Sequence, residues 1–158
     1  MGVLRFVSTG KALPKRKVTN EDISKMVDTS DEWIRTRTGI EKRYYCEDES
    51  CTDLAIEAAK TAVQRGLERD SEFSIEKIGL IIVATTSADY AFPSTACMVG
   101  KALHLKGNVM AYDLSAACSG FIYGLQNAKA LLNEIDNKYA LVIGSEKMSK
   151  LLDFTDRS

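Results

Sequence analysis

Two hydrophobic rhythms alternate along this chain. Short apolar runs rich in β-branched residues are separated by longer stretches in which apolar residues recur at helical spacing. Val3–Ser8 predicts a first strand, closed by Gly10 and Pro14. Ile78–Thr85, Met110–Leu114 and Tyr139–Ser145 predict three more. The run from 78 to 85 is almost continuously apolar, which suits a strand buried on both faces between helix layers. Leu54, Ala55, Ala58, Ala59, Ala62 and Val63 predict a long helix capped by Thr52 and ended at Gly66. Ser94 begins another toward Leu103, and Phe121, Leu125, Ala128 and Leu132 place one over Cys118–Asn133. Thr19 is an N-cap for Glu21–Val27, with Asp22 near the positive helix end, and Ser30 caps a short helix carrying Trp33. Glu68–Glu76 reads as a surface connection and Leu151–Ser158 as the start of an exposed loop. Strands alternating with helices predict an α/β layered fold, a mixed sheet between helices.

Composition narrows the function classes. The 158 residues fit one domain able to bury a real core. A net charge of −1 gives no general electrostatic case for nucleic acid or an anionic membrane. The longest basic cluster, Lys15-Arg16-Lys17, follows Pro14 and reads as a solvated turn. No stretch approaches a membrane span, and Met1–Thr9 is too short and too charged, at Arg5, for a signal peptide. Four cysteines without a Cys-x-x-Cys do not make a disulfide scaffold. Cys46, Cys51 and the single histidine, His104, make no credible zinc set. A cytoplasmic protein with reduced thiols, no metal and no cofactor is expected.

Chemistry concentrates in Asp113-Leu114-Ser115-Ala116-Ala117-Cys118-Ser119-Gly120-Phe121. This segment reads as a strand, a tight turn of small residues, one cysteine, then a helix. Helix starts present unpaired N–H groups and the positive end of the macrodipole, which favour thiolate, the nucleophilic form. Ala116, Ala117 and Gly120 leave room for a substrate carbonyl. One reading is a cysteine that takes up an acyl group; the other is a buried thiol that fills space. Asp113 and Glu146, near predicted strand ends, read as structural carboxylates.

The segment around Cys118 resembles the nucleophile motif of thiolase-like condensing enzymes, and more closely that of the β-ketoacyl-[acyl carrier protein] synthase III family. Thr29-Ser30-Asp31-Glu32-Trp33-Ile34-Arg35-Thr36-Arg37-Thr38-Gly39-Ile40 is similar to that family's coenzyme A segment. Ala84-Thr85-Thr86-Ser87, followed by Ala91-Phe92-Pro93-Ser94, matches its strand and turn ahead of the next helix. The resemblance runs through the whole chain, 1–158, but covers only the family's N-terminal half.

That resemblance implies a thiolase-like domain in which Cys118 carries the acyl group. Thr29, Trp33, Arg37 and Arg157 would contact coenzyme A, and Phe92 would reach across a homodimer interface into the partner's primer pocket. It implies condensation of an acyl-CoA primer, acetyl-CoA by default, with malonyl-acyl carrier protein, initiating fatty acid synthesis. Coenzyme A thioesters would be substrates rather than cofactors. The family's catalytic histidine and asparagine belong to its C-terminal half, and His104 does not lie in the matching motif, so this chain alone is expected to be inactive. The rival readings are a non-catalytic half that only assembles with a partner chain and, less closely, a degradative thiolase.

Overall fold

The computed structural model describes residues 4–136 and 139–156. They divide into two compact units, Leu13–Glu49 with Lys147–Ser158, and Met1–Ala12 with Ser50–Glu146.

The smaller unit contains β1 (Arg16–Thr19), α1 (Asn20–Ser24), α2 (Asp31–Thr38) and β2 (Lys42–Tyr45). β1 and β2 pair antiparallel, from Arg16 opposite Tyr45 to Thr19 opposite Lys42. Arg16 and Lys17, read from sequence as part of a solvated turn, are therefore strand residues. Both remain exposed, while Val18 beside them is buried. Each strand is only four residues long and rich in charge, so its pairing depends on a partner more than twenty positions away in sequence. Thr19 caps α1 as expected: its hydroxyl accepts from the Asp22 N–H, while the Asp22 carboxylate accepts from the Thr19 N–H. The helix ends at Ser24, short of the predicted Val27. Buried Asn20 donates to Asp31 at 2.7 Å and to the Ile40 carbonyl at 2.8 Å, tying α1 to both ends of the α2 segment. After a short 3-10 turn at Met148–Lys150 the chain is exposed through Asp156, and Phe154 lies 5.3 Å from the Tyr45 ring.

The larger unit contains α3 (Cys51–Arg69), β3 (Ile78–Ala84), α4 (Thr95–Ala102), β4 (Met110–Leu114), α5 (Gly120–Leu131) and β5 (Tyr139–Gly144). β3 is the middle of a three-stranded sheet in the order β4-β3-β5, parallel to both neighbours. All seven of its residues are buried. Successive side chains serve opposite faces: Ile81 and Val83 join Ala55, Ala59, Ala96 and Val99 of α3 and α4, whereas Leu80 and Ile82 join Ala128 of α5. Burial on both sides explains the unbroken apolar run, and each such side chain contributes about 1.5–3 kcal/mol of transfer free energy. Parallel and antiparallel pairing both occur, in separate sheets.

Three expectations change here. α3 continues through Gly66 to Arg69 and takes in the start of the predicted 68–76 connection. The cap of α3 is Ser50, in a reciprocal box with Asp53, and not Thr52. Thr52 lies inside the first turn, where its N–H and hydroxyl donate to Asp89 at 2.8 and 2.6 Å. The described part of the predicted Val3–Ser8 strand is not a strand; Val3 lies outside the described residues. The segment runs along α3 instead. Ser8 Oγ donates to the Ala62 carbonyl at 2.6 Å, and Arg65 donates to the Thr9 carbonyl at 2.9 Å. Gly10 touches the helix backbone so closely that a Cβ there would lie 2.0 Å from Ala58 O. A cavity of about 640 Å³ is lined by this segment together with α3, α5 and β5. An apolar stretch becomes a strand only where a ladder partner stands beside it.

Candidate functional site

Cys118 sits where the sheet hands over to α5. β4 ends at Leu114, and a 3-10 turn, Ala117–Ser119, precedes the helix. Ser119 N–H donates to the Ala116 carbonyl and Gly120 N–H to that of Ala117. Cys118 lies inside both of these turns, and its N–H takes part in neither bond. The predicted helix start at Cys118 thus moves to Gly120, and the cysteine precedes the helical cap residue, Ser119. The cause is Ala117, whose φ of +45° bends the chain sharply just before the thiol. A non-glycine residue in this left-handed region costs about 1–3 kcal/mol, strain that proteins concentrate at functional sites. Cys118 is exposed, against the space-filling reading, and so is Cys97; Cys46 is half-buried and Cys51 is buried.

The base of this turn is knitted across all three strands. Thr85 N–H donates to the Leu114 carbonyl at 3.1 Å, and Ser145 N–H to the Ala84 carbonyl at 3.2 Å. Gly120 packs on Ala84: a Cβ at Gly120 would stand 3.0 Å from Ala84 Cβ. The Glu146 carboxylate accepts from Thr86 N–H at 2.7 Å, Thr86 Oγ1 at 3.1 Å and Ser87 Oγ. Buried Cys51 Sγ lies 3.4 Å from Thr85 Oγ1 and donates toward the Ser145 carbonyl at 3.3 Å. Asp113 accepts from the N–H groups of Thr95 and Ala96, both at 2.8 Å, and so caps α4 beside its Ser94 cap. Asp113 and Glu146 thus hold structure near strand ends, as read from sequence. The precise partners of Glu146 are contributed by a segment sixty positions upstream, which no local sequence signal marks.

Phe92, in the turn before α4, is 89% exposed. Pro93 follows it through a cis peptide and lies outside the helix, whose first residue is Thr95. His104 is exposed just beyond the end of α4.

Thr29, Trp33 and Arg37 belong to the smaller unit. Ser30 Oγ accepts from the Trp33 N–H at 3.1 Å, so Thr29 stands immediately before the cap and Trp33 in the first turn of α2. Trp33 is 42% exposed, and the Arg37 guanidinium lies 5.1 Å from its ring centroid, one turn along the helix. Arg35 instead pairs with Glu41 at 2.8 Å. The helix thereby presents an indole and a guanidinium as one stacked pair. Arg157 lies outside the described residues. Among the described residues no group of His, Cys, Asp or Glu side chains is arranged to hold a metal ion, and no helix is long and apolar enough to cross a membrane.

Comparison with known proteins gives one consistent answer. Residues 112–158 match the family profile of 3-oxoacyl-[acyl-carrier-protein (ACP)] synthase III. The chain is 45% identical over its full length to a β-ketoacyl-[acyl-carrier-protein] synthase III from Alkalilimnicola ehrlichii and covers 48% of it. The Aquifex aeolicus protein of the same name is 48% identical over 98% of the chain, again 48% of the relative. The crystal structure of 3-oxoacyl-[acyl-carrier-protein] synthase III from Aquifex aeolicus superposes with a TM-score of 0.87 over 96% of this chain and 47% of that one. A priming β-ketosynthase from the R1128 polyketide pathway, 30% identical, reaches 0.88 over 98% and 45%. The chain spans about half the length of the curated relatives it matches. By sequence and by fold, the chain is similar to the N-terminal half of β-ketoacyl-[acyl-carrier-protein] synthase III.

Proposed function

We propose that this chain supplies the acyl-accepting half of a β-ketoacyl-[acyl carrier protein] synthase III. The observation that carries the reading is the exposed Cys118 on a strained turn between β4 and α5. In the proposed reaction the Cys118 thiolate attacks the carbonyl carbon of an acyl-CoA, acetyl-CoA by default. The carbonyl electrons pass to oxygen, where the Cys118 N–H supplies one donor. Collapse expels coenzyme A as its thiolate and leaves an acyl-cysteine. Malonyl-acyl carrier protein then loses carbon dioxide, and the resulting carbanion attacks the acyl-cysteine, releasing Cys118 and forming β-ketoacyl-carrier protein.

The second step is proposed for a protein of the relatives' length. In the family it uses a histidine and an asparagine beyond the half matched here, and the single histidine of this chain stands outside the matching motif. Thr29, Trp33 and Arg37, with Arg157, are assigned to coenzyme A: the indole face suits adenine and the guanidinium suits phosphate or ring stacking. Phe92 is assigned to a homodimer contact at the primer pocket. The setting proposed is the cytoplasm, with thioester substrates and no resident cofactor.

Brief, limiting iodoacetamide followed by peptide mass mapping tests the assignment. Cys118 is expected to label ahead of Cys97, Cys46 and Cys51. In a protein of the relatives' length, Cys118→Ser is expected to abolish acetyl transfer from acetyl-CoA. First labelling at another cysteine, or acetylation that survives Cys118→Ser, would overturn it.

A further inference from the structure

We propose that Glu146 is a positioning residue for Cys118, acting through the turn Thr85–Ser87. The inference rests on the reading of Cys118 as the nucleophile and adds a residue to it. The turn from Ser115 to Ser119 has two anchored ends. Its first is Leu114, whose carbonyl accepts from the Thr85 N–H at 3.1 Å. Its second is Gly120, packed so close to Ala84 that a Cβ there would lie 3.0 Å from Ala84 Cβ. Both ends therefore rest on one short piece of backbone, Ala84–Thr85.

The residues that continue that piece beyond the end of β3 are held by Glu146. Both polar groups of Thr86 donate to its Oε1, the amide at 2.7 Å and the hydroxyl at 3.1 Å. Ser87 Oγ donates to Oε2, and Thr85 Oγ1 lies 3.5 Å from the same oxygen. Ser87 N–H in turn donates to Thr85 Oγ1 at 3.2 Å, which closes the turn. Glu146 follows Ser145, whose N–H donates to the Ala84 carbonyl at 3.2 Å. One carboxylate thus gathers three consecutive residues and fixes them to the end of β5. Carboxylate acceptors make stronger hydrogen bonds than neutral ones. A turn carrying a nucleophile tolerates little displacement, since about 1 Å can cost on the order of a hundredfold in reactivity.

The test compares Cys118 with Cys97 in the same molecule. Second-order iodoacetamide rate constants are measured for both thiols in the parent chain, Glu146→Ala and Glu146→Gln. Glu146→Ala is expected to lower the Cys118 rate about tenfold while Cys97 stays within about twofold. Glu146→Gln keeps an acceptor for Thr86 and meets the Ser87 hydroxyl as a donor, so it is expected to restore most of the rate. A purely structural role would not single out Cys118. Thr86→Val removes one donor and keeps the amide bond. It provides the same comparison if Glu146→Ala does not fold, with a smaller fall expected. An unchanged or raised Cys118 rate in a folded Glu146→Ala or Thr86→Val variant overturns the proposal, as does Glu146→Gln behaving like alanine. A parent chain in which Cys97 outruns Cys118 overturns the functional reading instead, so the two failures are distinguishable.

Discussion

Gly120→Ala probes the packing under the nucleophile with a single methyl group. A Cβ at Gly120 would meet Ala84 Cβ at 3.0 Å, whereas its next neighbours, Leu114 O at 3.8 Å and Ala84 Cα at 3.9 Å, are at ordinary contact distance. Carbon atoms prefer about 3.5–4.0 Å, so one methyl pair carries the whole conflict. Overpacking of this kind costs about 1–3 kcal/mol. Against it stands the helical preference for alanine over glycine, about 0.8–1.0 kcal/mol in a helix interior and less at the first residue of α5. The net expectation is a loss of roughly 0–2 kcal/mol for Gly120→Ala in the parent background. Replacing Ala84 by glycine removes the opposing methyl, so in that background Gly120→Ala becomes neutral or stabilising. A double-mutant cycle by urea denaturation isolates the difference, an expected coupling of about 1–3 kcal/mol. Iodoacetamide rates on the same four proteins report whether Cys118 moves, and the double variant is expected to react more like the parent than Gly120→Ala does. A coupling indistinguishable from zero, with Gly120→Ala stabilising in both backgrounds, refutes the proposed contact.

Two further outcomes follow from the smaller unit. The amide and then the hydroxyl of Thr19, with Lys25, hold the Asp22 carboxyl at a pKa of about 2, below its ordinary 3.8. A depressed carboxylate stabilises the fold above its unfolded pKa, and that contribution is lost as pH falls from about 4 through about 2. An NMR titration is expected to place Asp22 near 2, and Thr19→Ala to move it part of the way back because the amide bond remains; an unmoved midpoint refutes the capping account. In a protein of the relatives' length, coenzyme A is expected to quench tryptophan fluorescence, and the Trp33 contribution to that quench is expected to disappear in Trp33→Ala. Trp33→Ala is expected to weaken binding by about 1–3 kcal/mol, as base–aromatic stacking does elsewhere, and unchanged affinity removes Trp33 from the site.

The chain's own pattern determined those features that depend on neighbours in sequence. The buried run of β3 follows from its unbroken lack of polar side chains, and the caps Thr19 and Ser30 follow from hydroxyls placed three residues before the amides they accept from. The strand, turn, cysteine and helix around Cys118 were legible for the same reason, since small residues between two periodic segments mark a tight connection. Tertiary structure decided the rest, because it depends on partners distant in sequence. Only the fold brings Arg16–Thr19 to Lys42–Tyr45, making strands of two charged tetrapeptides. The described part of the Val3–Ser8 run is apolar enough for a strand, yet Ser8 and the next residue, Thr9, bond to α3, and no ladder partner pairs with it among the described residues. The left-handed bend at Ala117 moves Cys118 out of the helix that periodicity assigned to it. Glu146 reaches the Thr85–Ser87 turn because parallel strands bring the ends of β3 and β5 side by side, a juxtaposition that has no period and leaves no mark in local sequence.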